Sequence, residues 1–230
     1  IGAGFFGSSA ALVLSKKHEI DLYEKFDSIL NGASFANQFR FHLGYHYPRS
    51  PITVDEIKKN YKYFEKFFGK SVFEKTLNIY GIALKKSKIS YKNYIKFLKK
   101  KNLKFREINS NYFSNKIEGQ VISNEKNLNY FKIKKLIKKR LINKKINILF
   151  NSEFNKNLLN KYDKVIIATY DQNNSIAKKL GYKLENTYRF ELVEKILVKL
   201  PNKYKKLSCI VLDGEFVCID PVFRNKISFA

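Results

Sequence analysis

Gly2-Ala3-Gly4-Phe5-Phe6-Gly7 has the spacing G-x-G-x-x-G and leads into an apolar run around Ala10–Leu14. An acidic residue, Glu24, follows about twenty positions beyond Gly4. Each part answers a need of dinucleotide binding. Gly2 permits a sharp turn, Gly4 lets a pyrophosphate approach the backbone, and Gly7 lets the helix pack closely. The N–H groups and dipole at the start of that helix hold the anion. Glu24 is placed to accept hydrogen bonds from the adenosine ribose hydroxyls, and its charge disfavours a 2′-phosphate and hence NADP. The fingerprint by itself does not separate NAD from FAD.

A second group of chemically capable residues lies in the segment 32–50, which is dense in Gly, Asn and aromatics and holds His42, His46 and Arg49. The two histidines stand four apart, a spacing that invites a metal. The run His42-Leu43-Gly44-Tyr45-His46 lacks the Glu of a metalloprotease helix, however, and its central Gly weakens any helix. No metal is expected. The bland alternative is that these side chains stabilise the loop by hydrogen bonds.

The elements that must position these groups follow from periodicity. A glycine turn and helix over 2–15 precede a short strand over 18–23, which is half of a βαβ unit. Residues 55–68 read as an amphipathic helix with Ile57, Tyr61, Phe64, Phe67 and Phe68 near one stripe. A strand over 77–84, a helix over 91–100 and a strand near 103–108 come next. The basic helix 130–143 carries Ile133, Leu136, Ile137, Arg140 and Leu141 at helical spacing, and strands are expected at 146–150 and 164–168. Residues 189–200 and 208–219 read as an antiparallel region. Asp213-Gly214 is a two-residue hairpin signal, and that register sets Cys209 opposite Cys218. The two thiols are expected to pack reduced rather than to form a disulfide.

The chain has 230 residues, 44% hydrophobic and 15% aromatic, enough for one domain or two small interleaved ones with a true core. Such aromatic content excludes a disordered tail, and two cysteines exclude a disulfide scaffold. No apolar run approaches the roughly 18 residues of a membrane span. A net charge of +25 suggests a polyanion partner, but 39 of the 45 basic residues are lysine. Nucleic-acid readers favour arginine, so the excess reads as compositional bias and nucleic acid is not expected as a partner. A solvated lysine face over a buried stripe accounts for the basic helix equally well. The chain starts on the glycine turn and contains no Met, which points to a fragment. No signal peptide is visible, and a cytoplasmic location is expected.

The loop that follows Glu24 resembles that of the FAD-dependent oxidoreductases of the D-amino-acid oxidase-like (DAO) family. Those proteins carry a small-Ser motif, then Asn and Arg, after the ribose-binding acid; here these are Ala33-Ser34, Asn37 and Arg40. Val165-Ile166-Ile167-Ala168-Thr169 is similar to the strand that returns to the cofactor, and Asp213-Gly214-Glu215-Phe216 with Asp220-Pro221 to a substrate-domain hairpin. The resemblance implies FAD as cofactor, with Gly2, Gly4 and Gly7 at its pyrophosphate and Glu24 at its ribose. It places Ser34, Asn37 and Arg40 along the stretch toward the flavin, Phe154 at the adenine and Thr169 beside the cofactor. His42, His46 and Arg49 become the candidates for donating to the flavin or holding a substrate carboxylate. Two departures stand out: Tyr170 follows Thr169 where many flavoproteins have Gly, and the family's C-terminal Gly-Asp segment is absent.

The expected fold is α/β, a Rossmann-like FAD-binding layer (residues 1–70 and 120–181) with an attached mixed or antiparallel substrate-binding sheet (71–119 and 182–230). The expected activity is hydride abstraction from a C–N or C–O bond of a small or sugar-like substrate. Two alternatives remain open at this point: a non-redox flavin enzyme acting on a nucleotide-sugar, and a basic anion-binding protein with a degenerate nucleotide fold.

Overall fold

The computed structural model describes residues 1–183, 194–214, 218–224 and 227–229. Along the chain run α1 (Phe5–Leu14), β1 (Asp21–Tyr23), β2 (Arg40–Phe41), α2 (Pro51–Phe68), β3 (Phe73–Glu74) and β4 (Leu77–Ala83). They are followed by α3 (Tyr91–Lys100), β5 (Phe105–Ile108), β6 (Ile117–Ser123), β7 (Lys126–Leu128), α4 (Tyr130–Asn143) and β8 (Asn147–Leu149). After these come α5 (Asn173–Lys179), β9 (Leu207–Leu212), β10 (Cys218–Ile219), β11 (Val222–Arg224) and β12 (Ile227–Phe229). The architecture is mixed α/β with several sheets. The chain forms two compact units, Ile1–Asn37 with Lys134–Lys195, and Gln38–Ile133 with Ile196–Ala230.

In the first unit β1 pairs in parallel with β8, Leu22 opposite Ile148. Gly2 N–H donates to the Tyr23 carbonyl at 2.8 Å, and Ala168 N–H donates to the Ile1 carbonyl at 2.8 Å. Backbone hydrogen bonds therefore set 147–149, 21–23, 1–2 and 166–168 side by side. Residues 164–168, expected as a strand, make these bonds as an extended segment without forming a regular strand. Helix α1 buries Gly7, Ser8, Ala11 and Leu12. In α4, Ile137 and Leu141 are fully buried, and each such side chain contributes about 1.5–3 kcal/mol relative to exposure.

The second unit is built on a five-stranded sheet in the order β10-β9-β4-β6-β5. All its pairs are antiparallel except β4 with β9, which run parallel from Leu77↔Leu207 to Ile82↔Leu212. This makes β4 the central strand, and six of its seven residues are buried, as a strand covered on both faces must be. Tyr80, Ile82, Tyr94, Leu98, Val121, Ile210 and Leu212 form one core with Tyr45 from the 42–50 loop. Helix α3 starts at a Ser90 cap, whose Oγ accepts from Asn93 N–H at 3.3 Å. Helix α2 starts at Pro51, four residues before the expected boundary, because proline suits the first helical position. A smaller sheet, β2-β7-β3, closes on the same unit.

Three further expectations change. The pairing of β9 with β10 is antiparallel but shifted by one residue, with Cys218 opposite Ile210 and Cys209 opposite Ile219. A one-residue shift turns neighbouring side chains to opposite faces, so the two cysteines are not cross-strand partners, and both are free thiols. Burial pushes the Cys209 thiol up to about 12, which keeps it protonated. Residues 194–200, expected within a strand, have no regular structure; residues 184–193 and 215–217, and with them part of the expected hairpin, lie outside the described residues. Strands β6 and β7 fall in 110–128, where the alternation is broken by Asn, Lys and Glu and no strand was expected.

Candidate functional site

The glycine turn of the first unit is held by its own backbone. Gly2 has φ +93°, and a Cβ there would lie 2.5 Å from the Ala168 carbonyl oxygen; one on Gly7 would lie 1.8 Å from the Gly2 carbonyl oxygen. Side chains at these positions are excluded by φ and by space. Helix α1 has no side-chain cap from Gly4, its N-cap residue. Ser34 supplies the missing acceptor from another loop, its Oγ taking the Phe5 N–H at 2.9 Å. A Cβ on Gly4 would sit 3.1 Å from that same Oγ. Asn37 donates from Nδ2 to the Ser34 carbonyl at 2.8 Å, fastening this loop to itself.

Glu24, just past the end of β1, is buried and turned toward the turn. Its Oε2 accepts from Ala3 N–H at 2.7 Å and its Oε1 from Phe26 N–H at 3.0 Å. The carboxylate thus braces the loop between the first two glycines, and each oxygen keeps a second lone pair. Gly2, Gly4, Gly7, Glu24 and Ser34 form one connected cradle. Thr169 lies beside it, its Cγ2 in reach of the Gly2 position, while its N–H and Oγ1 both donate to Asn173 Oδ1. Tyr170 adopts φ +59° with its ring exposed, the left-handed backbone that a glycine would take without cost. Phe154 is half-buried in an irregular stretch. A cavity of about 110 Å³ in this unit is lined by Gly7 of the turn with Ala11, Leu14, Leu22, Tyr162 and Val165; neither Glu24 nor Ser34 lines it.

In the second unit Arg40 lies at the centre of a buried polar network that periodicity could not reveal. Its guanidinium, fully buried, donates from Nε and Nη2 to Asp220 Oδ1 at 3.2 and 3.1 Å, and from Nη1 to Glu125 Oε2 at 3.5 Å. Nη2 also meets Ser208 Oγ, which in turn meets Asp220 Oδ1. Glu125, on the short link between β6 and β7, accepts from Tyr80 OH at 2.6 Å and from Leu43 N–H at 2.7 Å. Burial pushes Glu125 above the usual carboxylate range, and Arg40, Tyr80 and the Leu43 N–H counter this only in part. Burial opposes the Arg40 charge, but Tyr80, Asp220 and Glu125 outweigh it and raise its pKa. Glu125 and Ser208 carried no motif, and Asp220 was singled out only with Pro221 in the hairpin resemblance; they join Arg40 because β2, β9, the β6–β7 link and the end of β10 meet there.

His42 and His46 sit at the edge of this network, ring centroids 5.4 Å apart, with Tyr47 at 5.6 and 5.3 Å from them. Gly44 between them has φ +116°, and a Cβ there would lie 2.8 Å from Val54 Cγ1, so the turn of this loop depends on it. Burial, His46 and Arg40 bring the His42 imidazole down to about 3; burial and Arg40 lower His46, with Asp213 and Asp220 opposing. Both rings are thereby held toward the neutral form. The Nδ1 atoms of both, and Oδ2 of Asp220, are buried without a hydrogen-bond partner among the described residues. Arg49, more than half exposed, faces Asp213. Among the described residues no three His, Cys, Asp or Glu side chains converge as metal ligands, and no helix is long and apolar enough to cross a membrane.

No family model matches the chain. Over 108 residues it is 29% identical to the FAD-dependent monooxygenase FPY4 of Fusarium mangiferae, a stretch covering 46% of this chain and 29% of that protein. The chain thus spans less than a third of the length of that curated relative.

Proposed function

We propose that the chain is an FAD-dependent oxidoreductase of the DAO type, with the first unit as its Rossmann-like cofactor layer and the second as its substrate-binding part. The observation that carries this reading is the Glu24 carboxylate bound to the Ala3 N–H inside a glycine turn that admits no side chain at Gly2 or Gly7. The side-by-side order 147–149, 21–23, 1–2, 166–168 supports it, being the arrangement in which the first βα turn meets a dinucleotide. The similarity to an FAD-dependent monooxygenase supports it independently.

The residues present fit the group. The start of α1 offers backbone N–H groups to the pyrophosphate, with no side chain at Gly4 in the way. The remaining Glu24 lone pairs take the ribose hydroxyls, and Ser34 and Asn37 shape the loop toward the flavin. Bound flavin supplies a two-electron acceptor for hydride from a C–N or C–O bond of a small or sugar-like substrate. Arg40, already enclosed by Glu125, Ser208 and Asp220, serves as the internal counter-ion of the substrate part. His42, His46 and Tyr47 line its half-exposed edge.

The test is a visible absorption spectrum of the purified chain with FAD added, read with a fluorescence titration. Flavin bands, bleaching under candidate substrates, and affinity lowered about 10-fold or more in Glu24→Ala are expected. Affinity should change little between low and moderate salt. Failure to bind FAD, or binding that collapses with salt as lysine–polyanion contacts do, would sink the proposal and favour the basic anion-binding alternative.

A further inference from the structure

Both guanidiniums near the paired imidazoles are already matched with carboxylates, Arg40 with Glu125 and Asp220 and Arg49 with Asp213. Among the described residues Nδ1 of both rings lacks a hydrogen bond, and His42 is the one with a carboxylate oxygen within 4 Å. His42 Nδ1 is buried and has no hydrogen-bond partner among the described residues, and Glu125 Oε1 faces it at 3.8 Å. That oxygen is held by Leu43 N–H, while Oε2 is held by Tyr80 OH and Arg40. The carboxylate therefore cannot swing away from the ring. A lone pair on Nδ1 would point at a carboxylate in a poorly solvated place, whereas a proton there is attracted by it. The His42 side chain is 23% exposed although Nδ1 is not, so the accessible part of the ring is its other edge.

We propose that Glu125 sets the tautomer of His42, with the proton on Nδ1, so that Nε2 is a standing hydrogen-bond acceptor selecting a neutral hydroxyl-bearing ligand of the polyol or sugar kind. Among the described residues carboxylates and phosphates find no unmatched guanidinium at this edge, and an acceptor nitrogen repels them. The charged and titratable groups facing His42 are Arg40, His46, Tyr47 and Glu125. Arg40, whose charge opposes a proton on His42, opposes an ammonium beside it in the same way. A hydroxyl satisfies Nε2 without bringing charge, and sugars also lie well against aromatic faces such as Tyr47. The inference rests on the flavin reading only in taking this ligand to be the enzyme's substrate.

The experiment is 15N NMR of the histidine side chains in the native chain. There are three histidines, and the His42 signals are those lost in His42→Asn. At pH 7, Nδ1 is expected protonated and Nε2 not, and Glu125→Gln is expected to give a mixture of tautomers while His18 stays unchanged. Titrating glucose, methylammonium and acetate should move Nε2 with glucose alone. An Nε2-protonated native ring, a response to acetate or methylammonium, or no response to glucose would overturn the proposal. Should Glu125→Gln fail to fold, the native tautomer and the titrations decide by themselves. None of these spectra needs flavin. Missing flavin bands beside the expected tautomer would remove the proposed function alone, and the reverse pattern would remove this inference alone.

Discussion

The carbonyl oxygen of Gly2 occupies the space in which a side chain on Gly7 would begin, 1.8 Å from an ideal Cβ. The first and third glycines of the turn are thus one packing unit: the sharp bend at Gly2 throws its carbonyl against the first turn of α1. Gly7→Ala forces backbone apart, and overpacking of this kind costs about 3 kcal/mol or more. Gly4→Ala meets only Ser34 Oγ at 3.1 Å, and a side chain can give where backbone cannot. Urea unfolding of the two variants should therefore show a large loss for Gly7→Ala and a small one for Gly4→Ala. Equal losses would show that the turn is not packed this way.

Arg40 and Arg49 both face aspartates, yet their substitutions should behave differently. Arg40→Met leaves Glu125 and Asp220 as buried charges without their cation, a change that costs about 3–5 kcal/mol. Arg49→Ala removes a contact open to water, where ion pairs are screened and hold little stability. Thermal melts should show Arg40→Met with a sharply lowered midpoint and Arg49→Ala close to the native one.

The His42 imidazole gives the protein an acid-sensitive element. Its folded pKa, about 3, lies below the unfolded value near 6.5. Between those limits the unfolded chain binds the proton and the folded chain does not, so stability falls as the pH drops through this window. Each pH unit is worth up to ~1.4 kcal/mol. Glu125, raised by burial, works in the opposite sense, favouring the folded state at low pH and losing that contribution as pH rises through its folded pKa. Urea midpoints measured from pH 4 to pH 7 should therefore fall less on acidification in His42→Asn than in the native chain. Parallel curves would mean that His42 protonates as readily in the fold as outside it.

Tyr170 holds φ +59° with its ring 76% exposed. A left-handed backbone costs a residue with a Cβ about 1 kcal/mol, and glycine avoids that cost. Little packing is lost with so exposed a ring. Tyr170→Gly should raise the unfolding midpoint slightly, by the strain relieved less the extra freedom of glycine in the unfolded chain; a clear drop would mean that the ring itself holds the 168–173 turn.

What could be read from residues alone was local. The glycine spacing, the acid after β1, the apolar stripes of α2 and α4 and the strand of β4 all follow from short-range geometry. A helix repeats every 3.6 residues, and a turn accepts only certain φ values. Decided only in three dimensions were the contacts across distance. The parallel pairing of β4 with β9 joins segments about 130 residues apart, and the one-residue shift of β10 separates the cysteines. Arg40 shows the limit best. From sequence it belonged with Ser34 and Asn37 along a cofactor, yet its guanidinium is surrounded by Glu125, Ser208 and Asp220. Glu125 and Ser208 stand in no motif, and Asp220 was noted only beside Pro221 in a hairpin, because a buried charge needs partners close in space and makes no demand on where in the chain they come from.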